Sequence, residues 1–201
     1  MKNKFLTFSM KRIKETSEYS DEKLEEIAYG LETIYLTVTK LVIIFGVAFI
    51  LGITKEVIIL LICYNLIRSS AYGIHASKSI YCLISSLLLF VGGVYVSKYL
   101  ATIPLTVKIL LCTLSIIMII RYAPADTYKR PLINSKKRKR FKIVSIIKSI
   151  IYLLLIIYFN DIQLSGFLLV GLIEAILMIH PLVYKIFNLP YDNYKNYNYG
   201  V

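Results

Sequence analysis

Ile103-Pro-Leu-Thr-Val-Lys-Ile-Leu-Leu-Cys-Thr-Leu-Ser-Ile-Ile-Met-Ile-Ile120 is an apolar run interrupted by one charge, Lys108, and it ends on Arg121. A helix needs about 20 mainly apolar residues to cross the hydrocarbon core of a bilayer. Comparable runs occupy 34–53, 80–96, 143–159 and 162–184. A sixth, 57–67, is short and reaches spanning length only by continuing through Arg68, Ser69, Ser70, Ala71 and Tyr72. The expectation is an all-α polytopic membrane protein with about six transmembrane helices. The composition agrees. Apolar residues make up 57% of the 201 and charged residues 18%, displaced from the roughly 45–50% and about 25% of soluble domains. The net charge of +12 could serve a nucleic-acid binder, but these runs exclude a soluble one, and no nucleic-acid partner is expected. Three cysteines, each in or beside an apolar run, exclude a disulfide-stapled secreted domain.

Lysine and arginine set the topology. Residues 1–33 hold six, 68–79 two, 121–142 nine and the stretch after 184 two. Six spans put all nineteen on one side and leave Lys55 and Lys98 on the other. Both termini are therefore expected in the cytoplasm, and five spans would scatter the basic loops. Residues 1–33 show no apolar h-region of a signal peptide. They read as an amphipathic cytoplasmic or interfacial region, with Leu24, Ile27, Ala28 and Leu31 on one helical face and Ser20 as a cap. The domain plan is 1–33, a bundle over 34–184 with a basic cytoplasmic loop at 121–142, and a cytoplasmic tail over 185–201. The run Lys136-Lys-Arg-Lys-Arg140, joined by Lys142, suits anionic lipid or an acidic peptide segment.

Between the second and third runs lies Arg68-Ser-Ser-Ala-Tyr-Gly73-Ile-His75-Ala-Ser-Lys-Ser-Ile-Tyr-Cys82. A thiol attacks as its thiolate, and a neighbouring imidazole can take its proton. In a straight helix His75 and Cys82 would stand ~10.5 Å apart along the axis, so a working pair requires a bend between them, or His75 on a loop folded back over the start of the third span. Gly73 and the serines around it permit one. The bland alternatives are a cysteine filling apolar space, as expected for Cys63 and Cys112, and a hydrated histidine. Arg68 is either a topological anchor or a holder of a carboxylate or developing anion. Asp126 is expected to bond Thr127 or pair with Arg121, with orientation of His75 as the sharper option. Glu174 is expected to pair with Lys40, Lys108 or Lys148 across the bundle, and His180-Pro181 to mark a kinked helix end. No P-loop, metal-ligand pair or dinucleotide fingerprint occurs in the sequence, so no cofactor and no metal are expected.

Arg68-x4-Gly73-x-His75-x6-Cys82 resembles the signature of the AgrB family, the accessory gene regulator membrane peptidases of Gram-positive quorum sensing. Arg121-Tyr-Ala-Pro-Ala-Asp126-Thr-x-x-Arg130-Pro131 resembles the family's loop after the fourth span. Tyr72 stands where the family often has the first of two glycines. The resemblance implies a cysteine endopeptidase acting on a precursor peptide with an amphipathic leader and an acidic tail. It would remove the tail through an acyl-enzyme thioester and leave a thiolactone ring. Cys82 would be the nucleophile and His75 its base, with Arg68, Gly73, Arg121 and Asp126 as supporting or substrate-binding positions. A homodimer in the cell membrane, with its active site near the cytoplasmic face, is implied as well. The competing class is a small exporter of a signal peptide without proteolytic chemistry.

Overall fold

The computed structural model describes residues 2–16, 19–74, 79–127, 131–160 and 162–196. Among them the chain is helical, without an extended strand, as expected for an all-α membrane protein. The chain divides into two compact units, Met1–Val47 and Ala48–Val201. His75 lies outside the described residues.

The first unit holds α1 (Lys2–Thr16) and most of α2 (Asp21–Ile50). Ser20 starts α2 as expected, accepting the Leu24 N–H on its carbonyl at 3.0 Å and the Lys23 N–H on its hydroxyl at 3.4 Å. Phe5 of α1 stacks on Tyr35 of α2 with ring centroids 5.2 Å apart. The sequence reading separates an amphipathic region ending at 33 from a span beginning at 34, whereas α2 runs through that boundary without a break. Gly30, three residues before that boundary, is carried within the helix, and no Pro stands there to stop it. The helix ends at Gly52, whose φ of 67° closes a Schellman turn: Ile53 N–H reaches the Ala48 carbonyl and Gly52 N–H the Phe49 carbonyl.

The second unit is built from α3 (Thr54–Ala71), α4 (Ser79–Leu87), α5 (Gly93–Thr102), α6 (Leu105–Tyr122), α7 (Ser135–Tyr158), α8 (Leu164–Ile179) and the short α9 (Pro181–Ile186). A π-helical turn, Leu88–Gly92, joins α4 to α5 in one continuous rod. Helix α8 is central, packing on α3, α5, α6 and α7. Its approach to α5 is so close that a Cβ on Gly166 would lie 2.0 Å from the Ser97 carbonyl oxygen. Small residues at helix contacts permit this kind of packing in membranes.

Four helical stretches, Lys23–Ile50, Ile80–Thr102, Leu105–Tyr122 and Ser135–Tyr158, are long and apolar enough to cross a membrane. The other two of the six expected, α3 and α8, fall short of that criterion for separate reasons. Helix α3 carries Lys55, Glu56 and Arg68 at its two ends. Helix α8 has 16 residues and is wrapped by its neighbours. The basic stretch 121–142 is also only partly a loop. Asn134 caps α7 by accepting the Lys137 N–H at 3.1 Å, and residues 135–142 form its first turns. Positive charge signals topology, but Lys and Arg are also good helix formers.

Charged and polar groups within the bundle satisfy helix-end and helix-flank carbonyls. Lys108, 1% exposed, donates to the carbonyl oxygens of Ala101 (2.7 Å) and Asn160 (2.8 Å), to Asn160 Oδ1 and to Ser165 Oγ. Lys148 Nζ reaches Leu66 O and Ser69 Oγ, both at 2.7 Å. One turn on, the Tyr152 hydroxyl donates to Cys63 O at 2.7 Å. This corrects the expectation that Glu174 pairs with Lys108 or Lys148, since both lysines are engaged elsewhere. Lys108→Met keeps the stem and removes the donors, leaving several acceptors unsatisfied. It is expected to cost roughly 2–4 kcal/mol, read as a lower melting temperature in detergent with helical content retained below it.

Candidate active site at the basic end of the bundle

Helix α3 stops at Ala71 because the next two residues leave helical space, Tyr72 at φ 61° and Gly73 at φ 113°. The chain continues through the buried Ile74, one residue before His75. Backbone hydrogen bonds replace the lost helical ones. Ala125 N–H donates to Ala71 O (3.0 Å), Gly73 N–H to Ala125 O (2.8 Å) and Ile74 N–H to Met178 O (2.9 Å). The ends of α3 and α8 and the segment after α6 are thereby tied together. The helix breaks at Tyr72–Gly73; the stretch over which a bend between His75 and Cys82 would fall begins at His75, outside the described residues.

Arg68 builds this bend. Its Nη1 donates to Tyr72 O at 3.3 Å and its Nη2 to Ile74 O. The guanidinium thus bridges two carbonyls of the segment that leads to His75, a geometry that a lysine's single ammonium would not reproduce. Both sequence readings of Arg68, anchor or anion holder, miss this role. Gly73 is constrained twice. Its φ is one that L side chains rarely adopt, and a Cβ there would lie 2.4 Å from Met178 O and 3.1 Å from Arg68 Nη1.

Cys82 sits in the first turns of α4, half-buried and outside any disulfide. Cys63 and Cys112 are buried, as expected of fillers. Tyr64, one turn before Arg68 on α3 with its ring centroid 5.5 Å from the guanidinium carbon, escapes the sequence reading of the site, because an aromatic on an apolar helix gives no chemical signal.

Asp126 is 2% exposed and neither bonds Thr127 nor pairs with Arg121, which corrects that expectation. Its Oδ1 accepts the Asn193 N–H at 2.9 Å and the Asn193 amide at 3.4 Å; its Oδ2 accepts the Tyr194 N–H at 2.9 Å and the Leu132 N–H at 3.2 Å. A segment more than sixty residues away is strapped to the loop after α6. The Tyr184 hydroxyl donates to Asp126 O at 2.9 Å, the Tyr191 hydroxyl reaches Tyr122 O at 3.4 Å, and the Arg138 guanidinium lies 3.9 Å from the Tyr194 ring centroid. Burial, with the Asp192 carboxylate nearby, raises the Tyr191 phenol above its ordinary range, so it bonds as a neutral donor. Arg121 stays exposed at the end of α6, 5.7 Å from the centroid of the Tyr122 ring. His180-Pro181 is the expected break: His180 Nδ1 accepts the Leu182 N–H at 3.2 Å and Pro181 opens α9. Among the described residues no cluster of His, Cys, Asp and Glu could hold a metal ion.

The fold and this site define an all-α polytopic membrane protein whose helix ends converge on a thiol-bearing, basic face. The family model for accessory gene regulator B (AgrB) matches residues 7–179. An AgrB-like protein of Clostridium acetobutylicum is 32% identical over 175 residues, 87% of this chain and 83% of the relative. An AgrB-like protein of Listeria monocytogenes is 30% identical over 179 residues, covering 88% and 86%. The accessory gene regulator protein B of Staphylococcus aureus is 31% identical over 156 residues, covering 77% and 81%. No solved structure matches. The chain belongs to the AgrB family, which is involved in quorum-sensing peptide processing and acts with a pro-peptide.

Gly73→Ala is expected to lower stability by roughly 2–4 kcal/mol, combining a strained φ with a carbonyl clash, measured by thermal melting against Gly30→Ala, where a Cβ meets nothing within 4 Å. Asp126→Ala removes the acceptor of four N–H groups. Trypsin is expected to cut after the exposed Lys185 and Lys195 several-fold faster than in the wild type, while fragments from α5 to α8 persist. An unchanged cleavage rate would show that the carboxylate does not hold the strap.

Proposed function

We propose that this protein is a membrane-embedded cysteine endopeptidase that cleaves the C-terminal tail from a quorum-sensing precursor peptide and promotes thiolactone closure of the remainder. The observation that carries the reading is the Arg68-held bend at Tyr72–Ile74. It interrupts the helix one residue before His75, and Cys82 follows in the first turns of the next helix.

Cys82 attacks the carbonyl at the tail junction with His75 as general base. The carbon–nitrogen bond breaks, the departing amine takes the proton, and the peptide remains on Cys82 as a thioester. The thiol of a cysteine within the bound peptide then attacks that thioester. One thioester replaces another, its proton returns to Cys82, and no water is consumed. Arg68 and Gly73 hold the segment that carries His75. Arg121 and the basic first turns of α7 attract the peptide's acidic tail by charge, and the same turns favour an anionic membrane surface. The protein works as a homodimer with both termini in the cytoplasm, the arrangement supported by the family resemblance and by the basic side of the sequence.

The test is reconstitution in liposomes with the cognate precursor, comparing wild type, Cys82→Ala and His75→Ala by mass spectrometry. Wild type is expected to release the tail and yield a product one water lighter than the linear peptide. Both variants should reduce this by at least about a thousandfold, the scale of losing an activated nucleophile. Processing by Cys82→Ala at the wild-type rate would overturn Cys82 as the nucleophile, and no processing by wild type or variants would return the protein to the exporter class.

A further inference from the structure

The chain that follows α9 turns back twice, and each turn is made by a residue in the left-handed region, Asn188 at φ 50° and Asp192 at φ 55°. Asn and Asp tolerate that region better than other side chains. The first turn closes α9 as a Schellman motif, with Leu189 N–H on the Tyr184 carbonyl at 2.9 Å and Asn188 N–H on the Lys185 carbonyl at 3.1 Å. The second is closed by Lys195 N–H on the Asp192 carbonyl at 3.0 Å. It brings the Asn193 and Tyr194 N–H groups onto the two carboxylate oxygens of Asp126, each at 2.9 Å. The Asn193 side chain, in a residue 1% exposed, donates to the Pro190 carbonyl at 2.9 Å and holds the turn on itself.

Asp126 is the neighbour of the residue that grips the bend. Ala125 donates to Ala71 O at 3.0 Å and accepts the Gly73 N–H at 2.8 Å, and its Cα is tied covalently to that of Asp126 at ~3.8 Å. The stretch 122–126 is held from the tail at both ends: the Tyr191 hydroxyl donates to Tyr122 O and the Tyr184 hydroxyl to Asp126 O. Its middle holds the end of α3. A buried carboxylate is costly unless its oxygens are occupied, and the tail supplies three of the four donors to Asp126, the fourth being the Leu132 N–H. Without the tail the carboxylate would have to turn toward water, and Ala125 would lose its fixed neighbour.

We propose that the tail segment Tyr191–Tyr194 is a positioning strap: by occupying Asp126 it fixes Ala125, and through Ala125 it sets the register of the Tyr72–Ile74 bend that leads to His75. Asp126 and the turn at Asp192 are positioning residues. The segment lies outside the stretch that the family model matches. The step from the bend to His75 rests on the peptidase reading; the strap's hold on the bend does not.

The experiment uses the full chain in liposomes as wild type, Asp192→Pro, Asp192→Gly, Asp126→Ala and the double variant Asp126→Ala with Asp192→Pro. Proline cannot take a φ of 55° and glycine can. Both lose the Asp192–Lys195 ion pair, so they differ in whether the turn can form. Amide hydrogen exchange is read at Gly73 and Ala125, whose N–H groups are bonded to Ala125 O and Ala71 O. Asp192→Pro is expected to speed exchange at both about tenfold, the scale of one lost charge-assisted hydrogen bond, and Asp192→Gly to stay within about twofold of wild type. Asp126→Ala should speed exchange at least as much, and the double variant should go no further than Asp126→Ala, because both changes undo the same bonds. Amides of α5 should keep wild-type rates. Precursor processing by Asp192→Pro should fall about tenfold in kcat with KM within about twofold, as expected when positioning rather than binding is lost, and Asp192→Gly should restore it. Wild-type exchange at Gly73 and Ala125 in Asp192→Pro overturns the proposal, as does a double variant in which the two effects multiply. Should Asp126→Ala fail to fold, the proline and glycine variants decide alone by the same exchange readout. Faster exchange in Asp192→Pro, in a protein whose wild type never processes peptide, would sink the peptidase reading and leave the strap standing.

Discussion

Three backbone hydrogen bonds, Ala125 N–H to Ala71 O, Gly73 N–H to Ala125 O and Ile74 N–H to Met178 O, are the constraint on which the basic end of the bundle depends. A helix that stops near a membrane boundary leaves its last carbonyls without intrahelical donors, and lipid offers none. Here the end of α3, the end of α8 and the strand-like segment after α6 supply one another. The arrangement fixes the direction in which the chain leaves α3, and with it the start of the segment toward His75. Gly73 is the position where this solution is sterically possible. Any side chain would meet the Met178 carbonyl.

The charged groups inside the second unit follow the same economy. Lys108, Lys148 and Arg68 each direct their donors at main-chain carbonyls, helped by Asn160, Ser165 and Ser69. Cations placed in this way stitch helix to helix with bonds that apolar side chains cannot make, and the carbonyls they engage flank helix ends or bends. The anion Asp126 plays the complementary part by collecting N–H donors from a loop and from the distant tail. Among the described residues the ion pair between helices of this unit joins Lys98 of α5 to Glu56 of α3 at 3.7 Å, while Lys108, Lys148 and Arg68 turn to carbonyls instead.

Much of this is legible in the sequence because the bilayer imposes a coarse and strong pattern. The runs at 103–120 and 143–159 coincide closely with α6 and the apolar part of α7, and Gly73, read from the sequence as a place where the chain can turn, is where it leaves α3. What fails does so for identifiable reasons. The run Lys136–Arg140 reads as a loop because charge marks the side of the membrane, while its helical state is set by the Asn134 cap and by the intrinsic helicity of Lys and Arg. The continuity of α2 through residue 33 is hidden because polarity changes there and backbone conformation does not. Asp126 is misread because its partners, Asn193 and Tyr194, are too distant in sequence for any local pattern to reveal. Tyr64 is invisible because aromatic residues on apolar helices are ordinary packing.

On the proposed chemistry, the position of the thiol bears on why a cysteine serves and a serine would not. An acyl-enzyme built on serine is an oxyester, and conversion of an oxyester to a thiolactone runs uphill. A thioester on Cys82 exchanges with the peptide's own thiol at nearly balanced energy. That balance makes the intermediate vulnerable, since hydrolysis is downhill from either thioester. The reaction therefore needs an acyl group held where the peptide thiol arrives and water does not. Cys82 is half-buried at the start of α4, and the Tyr72 and Ile74 carbonyls and the Gly73 and Ile74 N–H groups of the preceding bend are bonded within the protein. Main-chain groups paired in this way do not have to recruit ordered water, and on the proposed chemistry this favours ring closure over hydrolysis.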